Sequence, residues 1–252
     1  MHQVDGPPTS NEPVGTGTRW GLGDVALGLP FIILGAVAGL MIALVAFGLD
    51  NELAEESAAV LVLSGLGQQG AQFAWPIVVA KWKGNGVVRD FRLRFKPIDL
   101  LIGPALGIAI AIGAAIVGLI VSTALGVAGS EDNTNTAILT DHKDSLWIYG
   151  IIFMAVVGAP LSEELFFRGL ALSAMEKRWG PRAGLIGSSV LFVLPHYTFV
   201  AWRETAVIFA AIGFVALALG AVVQKTNRLG PSIMAHCTFN TVAVLATLYT
   251  GV

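Results

Sequence analysis

Charged side chains are scarce in this sequence. Asp, Glu, Lys and Arg make up 13% of its 252 residues, about half the share that is usual in soluble domains. Together with an apolar content of 55%, this scarcity excludes an intrinsically disordered protein and a nucleic-acid binder. Cysteine occurs once, as Cys237, which excludes an internal disulfide and any zinc or iron–sulfur site built from cysteines.

Long apolar runs are abundant instead, and the mean hydropathy is +0.74. A helix needs about 20 residues to cross the hydrocarbon core of a bilayer. Because the runs are continuous rather than alternating, we expect an all-α fold, a polytopic transmembrane helix bundle with about seven or eight spans. The seven runs cover residues 25 to 48, 58 to 80, 99 to 125, 146 to 175, 183 to 201, 205 to 223 and 230 to 250, and an eighth, interfacial piece is expected near residues 134 to 139.

The loops between these runs differ in charge. Lys and Arg are concentrated in alternate loops, and cytoplasmic loops are enriched in these residues. Of the 15 basic residues, twelve fall on the side predicted to be cytoplasmic, two on the other side, and one, Arg168, within a run. This pattern predicts a cytoplasmic N-terminus. The first 24 residues are polar and rich in Pro, Gly and Thr, and we expect residues 1–24 to form a disordered cytoplasmic tail.

Small residues recur at four-residue spacing in two of the runs. The pairs are Gly35 with Gly39 and Gly103 with Gly107. Small residues at this spacing allow helices in a membrane to approach closely. We therefore expect both pairs to lie at helix contacts.

Ionisable residues cluster in the fourth run. It contains Glu163, Glu164 and Arg168, although a charged group at the centre of a span costs about 2.5 to 3.5 kcal/mol. Glu164 and Arg168 are four residues apart on a helix, so an ion pair between them offsets part of this cost. Glu163 has no such partner, and Pro160 one turn earlier removes a backbone donor. Glu163 is therefore a candidate catalytic residue.

Two later runs also carry polar side chains. In the fifth run Phe192 precedes His196 by one turn, and in the seventh run His236 and Asn240 are four residues apart. A rise of about 1.5 Å per residue places Glu163, His196 and His236 in the inner half to the middle of the bilayer. We expect these groups to meet in one cavity that is open to the cytoplasm.

These motifs resemble those of the CPBP family of intramembrane proteases, which includes the CAAX prenyl endopeptidases and proteins of the abortive-infection type. The resemblance covers about residues 145 to 250. It divides the bundle into three N-terminal transmembrane helices over residues 25–144 and a CPBP-type catalytic core over residues 145–252. The matching residues are Glu163, Glu164 and Arg168 for Glu-Glu-x-x-x-Arg, Phe192 and His196 for Phe-x-x-x-His, and His236 and Asn240 for His-x-x-x-Asn.

The resemblance implies an endopeptidase that cleaves membrane-associated or lipidated substrates. It implies that Glu163 and His196 activate a water molecule and that His236 and Asn240 stabilise the oxyanion. Glu164 and Arg168 then hold these groups in place. The expected partners are a peptide or lipidated protein and the lipid bilayer, without nucleic acid and without a cofactor. Short loops and the lack of sorting signals indicate a bacterial plasma (inner) membrane.

Several alternatives remain open. Glu163, His196 and His236 would also form the two-histidine, one-glutamate ligand set of a catalytic zinc site. The polar cluster would equally suit a non-catalytic scaffold, a bacteriocin-immunity protein of the same fold, or a proton-coupled transporter. In the second run, three glutamines either line the same cavity or bridge helices. They are Gln68, Gln69 and Gln72.

Overall fold

A computed structural model describes residues 17–47, 58–127, 139, 146–197 and 201–250 of the chain. All regular elements in these ranges are helical, which confirms the predicted all-α bundle. We number the long helices α1 to α7, and a short helical turn, Val87–Asp90, lies between α2 and α3. The long helices are α1 (Leu22–Phe47), α2 (Ala58–Lys83), α3 (Asp99–Leu125), α4 (Ile148–Trp179), α5 (Pro181–Val193), α6 (Trp202–Thr226) and α7 (Gly230–Thr250).

Five of these helices, α1, α3, α4, α6 and α7, are long and apolar enough to cross a membrane. α2 has 26 residues, but glutamines interrupt its apolar run and two lysines occupy its last turn. α5 has only 13 residues, and a 3₁₀ turn over Leu194–His196 extends it. The seven predicted runs therefore correspond to seven helices of unequal span. The eighth predicted piece lies outside the described residues except for Leu139.

α4 lies at the centre of the bundle. In the most apolar 18-residue stretch of α4, 39% of the residues are buried, against 11% in the corresponding stretch of α1. α4 packs against α2, α5 and α7, whereas α1 packs mainly on α2, and α3 packs on α6 and α7. Many apolar side chains of α1 and α3 are exposed, as expected for surfaces in contact with lipid tails, which are as apolar as leucine. The central position of α4 shields its charged residues from lipid.

The two predicted glycine pairs lie at close helix contacts. A Cβ atom on Gly39 would lie 2.1 Å from the carbonyl oxygen of Leu63 in α2. A Cβ atom on Gly107 would lie 2.5 Å from the carbonyl oxygen of Ala235 in α7. The other glycine of each pair is similarly enclosed. Both glycine pairs therefore lie at helix contacts, as predicted, and these contacts join α1 to α2 and α3 to α7.

The basic loops meet at one end of the bundle, which we call the basic end. In the segment between α2 and α3, the carbonyl of Arg92 accepts a hydrogen bond from the amide of Leu229 at 2.8 Å. The Arg92 guanidinium pairs with Glu176 near the end of α4 at 2.5 Å. Asp99, at the start of α3, accepts hydrogen bonds from Nε and Nη2 of Arg228. The ends of α2, α4 and α6 are thus joined, as the charge pattern predicts.

The last part of the predicted tail is packed on the basic end. Trp20 is 1% exposed, and its ring centroid lies 5.1 Å from that of Phe91. The amide of Arg19 donates to the carbonyl of Lys83 at 2.8 Å, and α1 begins at Leu22. The boundary differs from the predicted residue 24 because burial of the tryptophan ring orders the residues around it. Residues 1–16 lie outside the described ranges.

Candidate active site

α4 is not a regular α-helix. Its segments Met154–Gly158 and Glu164–Ala171 are π-helical, and the α-helical segment Ala159–Glu163 lies between them. A π-helical turn bonds each residue to the fifth residue along and is frequent at functional sites. The extra residue in the turn changes which side chains share a face. Glu163, Glu164 and Arg168 therefore lie at a local irregularity of the central helix.

Glu164 is the centre of a buried polar cluster and has no exposed surface. Its Oε1 lies 3.0 Å from Nη1 of Arg168, which confirms the predicted ion pair. The same oxygen lies 3.0 Å from Nδ1 of His236, and Ser232 donates its hydroxyl to Oε2 at 2.5 Å. One carboxylate therefore fixes two side chains of α7 against α4. These partners offset part of the cost of burying the charge.

Arg168 is held by charge and by an aromatic ring. Its side chain is buried, and its guanidinium carbon lies 4.0 Å from the ring centroid of Phe192 in α5. Neither terminal nitrogen makes an aligned hydrogen bond within the described part of the chain. The contact with Glu164 is therefore an ion pair supported by a cation–π interaction. This explains why an aromatic residue is useful one turn before His196.

Phe192 links the two histidines. Its ring centroid lies 5.1 Å from the imidazole of His196 and 6.1 Å from that of His236. His196 lies in the 3₁₀ turn that follows α5. Pro195 in this turn has no backbone N–H to continue the helical hydrogen bonds. The ring contacts bring α5 into the cluster that α4 and α7 form.

Glu163 is placed differently from its neighbour. Its side chain is 21% exposed, and its Oε2 lies 3.7 Å from Nε2 of His236. This distance is too long for a direct hydrogen bond. Of the two consecutive glutamates, Glu164 is therefore enclosed by partners, and Glu163 is the more accessible carboxylate.

The hydrogen bonds of the two histidines define their neutral forms. Nδ1 of His196 lies 2.9 Å from the carbonyl oxygen of Phe192, and a carbonyl only accepts, so Nδ1 carries the proton. Nδ1 of His236 likewise donates to the carboxylate of Glu164. In a neutral imidazole the other nitrogen is then an acceptor. Both histidines therefore have an Nε2 lone pair when they are neutral.

Asn240 supports the first π-helical segment of α4. Its Nδ2 donates to the carbonyl of Ala155 at 2.7 Å. The residue five positions after Ala155 is Pro160, which has no backbone N–H to donate. The Asn240 amide supplies the missing donor and still has a second N–H.

The structure brings the six predicted site residues into one region. Three lie on α4, two on α7, and His196 is joined to them through Phe192. Ser232 is a site residue that sequence reasoning did not select. Its signal was the four-residue spacing that continues from Ser232 through His236 to Asn240. The catalytic role of each residue stays a prediction.

Of the three glutamines, Gln69 bridges helices. Its Nε2 donates to the carbonyl of Met154 at 3.3 Å, so it joins α2 to α4. Gln68 is exposed and Gln72 is buried. The bridging interpretation is therefore confirmed for Gln69.

The zinc interpretation needs three ligands around one point. Among the residues that the structure describes, no group of three His, Cys, Asp or Glu side chains is arranged to hold a metal ion. Glu163 and His236 approach to 3.7 Å, and the Nδ1 bond of His196 to the carbonyl of Phe192 leaves its Nε2 free. The zinc alternative stays a prediction.

The fold and the site together define a class of protein, a multi-pass helical membrane protein with a polar site suited to acid–base chemistry. Residues 145–242 match the family model described as Type II CAAX prenyl endopeptidase Rce1-like. This segment contains all six predicted site residues. The match confirms the resemblance to the CPBP intramembrane proteases and indicates a protease of the CAAX type. No curated protein and no solved structure matches the chain.

Proposed function

We propose that the chain is an intramembrane endopeptidase in which Glu163 activates a water molecule. The contrast between the two glutamates carries this proposal. Glu164 is fully buried and its oxygens are occupied by Arg168, His236 and Ser232. Glu163 is 21% exposed beside His236, so its carboxylate has room to accept a proton from water. A positioned carboxylate of this kind is a suitable general base.

Hydrolysis begins with the water held by Glu163 and His196. The Nε2 lone pair of His196 accepts one hydrogen bond from this water, and Glu163 removes the other proton. The oxygen then forms a bond to the carbonyl carbon of the peptide. Collapse of the tetrahedral intermediate breaks the C–N bond, and the proton passes to the leaving amine. The products are a carboxylic acid and an amine, and the acid then gives its proton to the amine to form a carboxylate and an ammonium group, so atoms and charge balance.

The oxyanion faces His236 and Asn240 in this proposal. Neutral His236 has no proton on Nε2, and Glu163, 3.7 Å away, supplies the proton taken from water once the two groups close to hydrogen-bond distance. The protonated Nε2 then donates to the oxyanion before the proton moves to the amine. Asn240 contributes the N–H that its bond to Ala155 leaves free. Preorganised donors of this kind stabilise a developing negative charge.

The proposed substrates are membrane-associated or lipidated peptides, in keeping with the CAAX type of the matched family. We also propose a plasma-membrane location with the N-terminus in the cytoplasm, because the cytoplasmic side carries an excess of Lys and Arg. The basic end of the bundle is then the cytoplasmic end.

The variant Glu163→Gln tests the proposed function. It keeps the size of the side chain but removes the base, so kcat for cleavage of a prenylated CAAX peptide is expected to fall about 10²- to 10⁴-fold. Glu56→Gln is the matched control, since Glu55 and Glu56 repeat the acidic pair without an arginine at position 60, which is Val60. The measurement is mass spectrometry of the products that the purified protein releases in detergent.

Cleavage by Glu163→Gln at the wild-type rate would contradict the role of Glu163 and favour a non-catalytic pocket. The same assay examines the metal-free mechanism. We expect activity to survive a strong zinc chelator, and loss of activity that zinc restores would refute that part of the proposal.

A further inference from the structure

The first π-helical segment of α4 determines the direction of Glu163. Relative to an α-helix, a π turn contains one extra residue. Each residue of an α-helix advances the chain by about 100° around the axis. If Met154–Gly158 became α-helical, the part of α4 that follows would rotate by about 100° relative to the part before it. Glu163 would then no longer face His236.

Two side chains from different helices stabilise this turn. Asn240 of α7 donates to the carbonyl of Ala155 at 2.7 Å. Gln69 of α2 donates to the preceding carbonyl, that of Met154, at 3.3 Å. The turn is therefore bound from both sides by side-chain amides. Gln69 lies outside the segment that matches the protease family, residues 145–242.

Gln69 is also in close contact with the last residue of the turn. A Cβ atom on Gly158 would lie 2.1 Å from Oε1 of Gln69. This Oε1 is buried and accepts no hydrogen bond from the described residues. A buried acceptor without a donor reduces stability. Glutamine at position 69 therefore lowers the stability of the fold, and packing alone does not explain why this residue is there.

We propose that Gln69 is a positioning residue for hydrolysis, whose amide holds the π turn Met154–Gly158 and so directs Glu163 toward His236. The inference rests on the proposed function. It assigns to α2, outside the matched segment, a part in the geometry of the site. Gln69 acts through α4 and does not contact the reacting atoms.

The variant Gln69→Met tests this role. Methionine has a similar length and no amide, so the donor to Met154 is lost while the volume remains. We expect kcat to fall about 10- to 100-fold, because small misplacements of a catalytic group have effects of that size. KM should change little, and the unfolding temperature in detergent should stay the same or rise because the unpaired Oε1 is gone. Gln68→Met, at the exposed neighbouring position, is the matched control.

A readout that does not depend on hydrolysis follows the direction of residue 163. In a Cys237→Ala background, the rate at which a water-soluble maleimide modifies Glu163→Cys reports the accessibility of that position. We expect Gln69→Met to change this rate several-fold and Gln68→Met to leave it unchanged. If Gln69→Met and Gln68→Met give the same rate of modification at position 163, the inference is wrong.

Gly158→Ala gives an independent test. Its methyl group displaces the Gln69 amide, so the variant should reproduce the loss caused by Gln69→Met. Combination of the two should cost little more than either alone, since both disturb one contact. Fully additive losses would contradict the proposed coupling.

The assay separates the two proposals. If Glu163→Gln is inactive and Gln69→Met has the kcat of Gln68→Met, the proposed function stands and the role of Gln69 is wrong. If Glu163→Gln remains active, the proposed function is wrong, and the modification rate of Glu163→Cys alone decides whether Gln69 holds the turn.

Discussion

Glu164 shows how a carboxylate is retained inside a membrane protein. Its charge is balanced by Arg168, and His236 and Ser232 donate hydrogen bonds to its oxygens. Breaking a buried pair from one side leaves an uncompensated charge and is strongly destabilising, whereas apolar replacement of both partners is often neutral. The stability of the site therefore depends on the pair being kept or removed together.

Removal of Arg168 should accordingly be costly. Arg168→Leu leaves Glu164 buried without its cation, and we expect the free energy of unfolding to fall by about 3–5 kcal/mol. Arg182→Leu is the matched control, because Arg182 is exposed at the start of α5 and should change stability by no more than about 0.5 kcal/mol. Denaturant titration in detergent provides the measurement.

The double variant Glu164→Leu with Arg168→Leu sharpens this test. It should regain part of the stability that Arg168→Leu loses, because no buried charge is left. If the double variant is less stable than Arg168→Leu by the full cost of a second site, the buried pair does not account for the loss.

Part of this site could be predicted at the level of residues. The spacing of Glu164 and Arg168 implied their ion pair, and the spacing of His236 and Asn240 placed both on one helix. The partners of these side chains on other helices could not be predicted from the sequence, because such contacts depend on how the helices pack. Ser232 and Gln69 belong to that second group.

At the level of elements, hydropathy located all seven helices but not their internal geometry. Pro160 marks a missing donor in α4, yet the donors from other helices, Asn240 to the carbonyl of Ala155 and Gln69 to that of Met154, depend on packing that the sequence does not show. The run predicted over residues 183 to 201 also continues past the end of α5. Leu194 and Pro195 are apolar, so hydropathy alone did not reveal the 3₁₀ turn that they form.

The contact between α1 and α2 depends on glycine at position 39. A methyl group there would meet the carbonyl of Leu63 at 2.1 Å, so Gly39→Ala should force the helices apart and destabilise the protein by about 1–3 kcal/mol. Gly70→Ala, in α2, is the control because nothing lies within 4 Å of its Cβ position.

The control should be neutral or more stable by up to about 1 kcal/mol, since alanine favours a helix over glycine. Both variants are compared by unfolding in detergent. Equal effects of the two substitutions would show that close packing at Gly39 does not contribute to stability.

At the level of the whole molecule, hydrogen bonds and ion pairs gather the basic loops at one end. Leu146 precedes α4, and α4 runs from there to the basic end, so Leu146 and the basic end lie on opposite sides of the bundle. The absolute orientation follows from the proposed cytoplasmic N-terminus. Leu146 should then face the exterior and Lys96 the cytoplasm.

Labelling of single cysteines in intact cells tests this orientation. In a Cys237→Ala background, a membrane-impermeant maleimide should modify Leu146→Cys and not Lys96→Cys, and disruption of the cells should expose both. Both native side chains are exposed, which makes them a matched pair. The reverse pattern of labelling would place the N-terminus outside.

The length of α5 affects the lipid around the protein. With its terminal 3₁₀ turn, α5 rises about 26 Å, less than the roughly 30 Å of a hydrocarbon layer. A hydrophobic element that is too short is accommodated by local thinning of the bilayer, and a chain that leaves its helix at such a depth needs water or protein to solvate its backbone. The His196 imidazole is at this tip, so we expect local thinning of the bilayer to bring water to the histidine that is proposed to hold it.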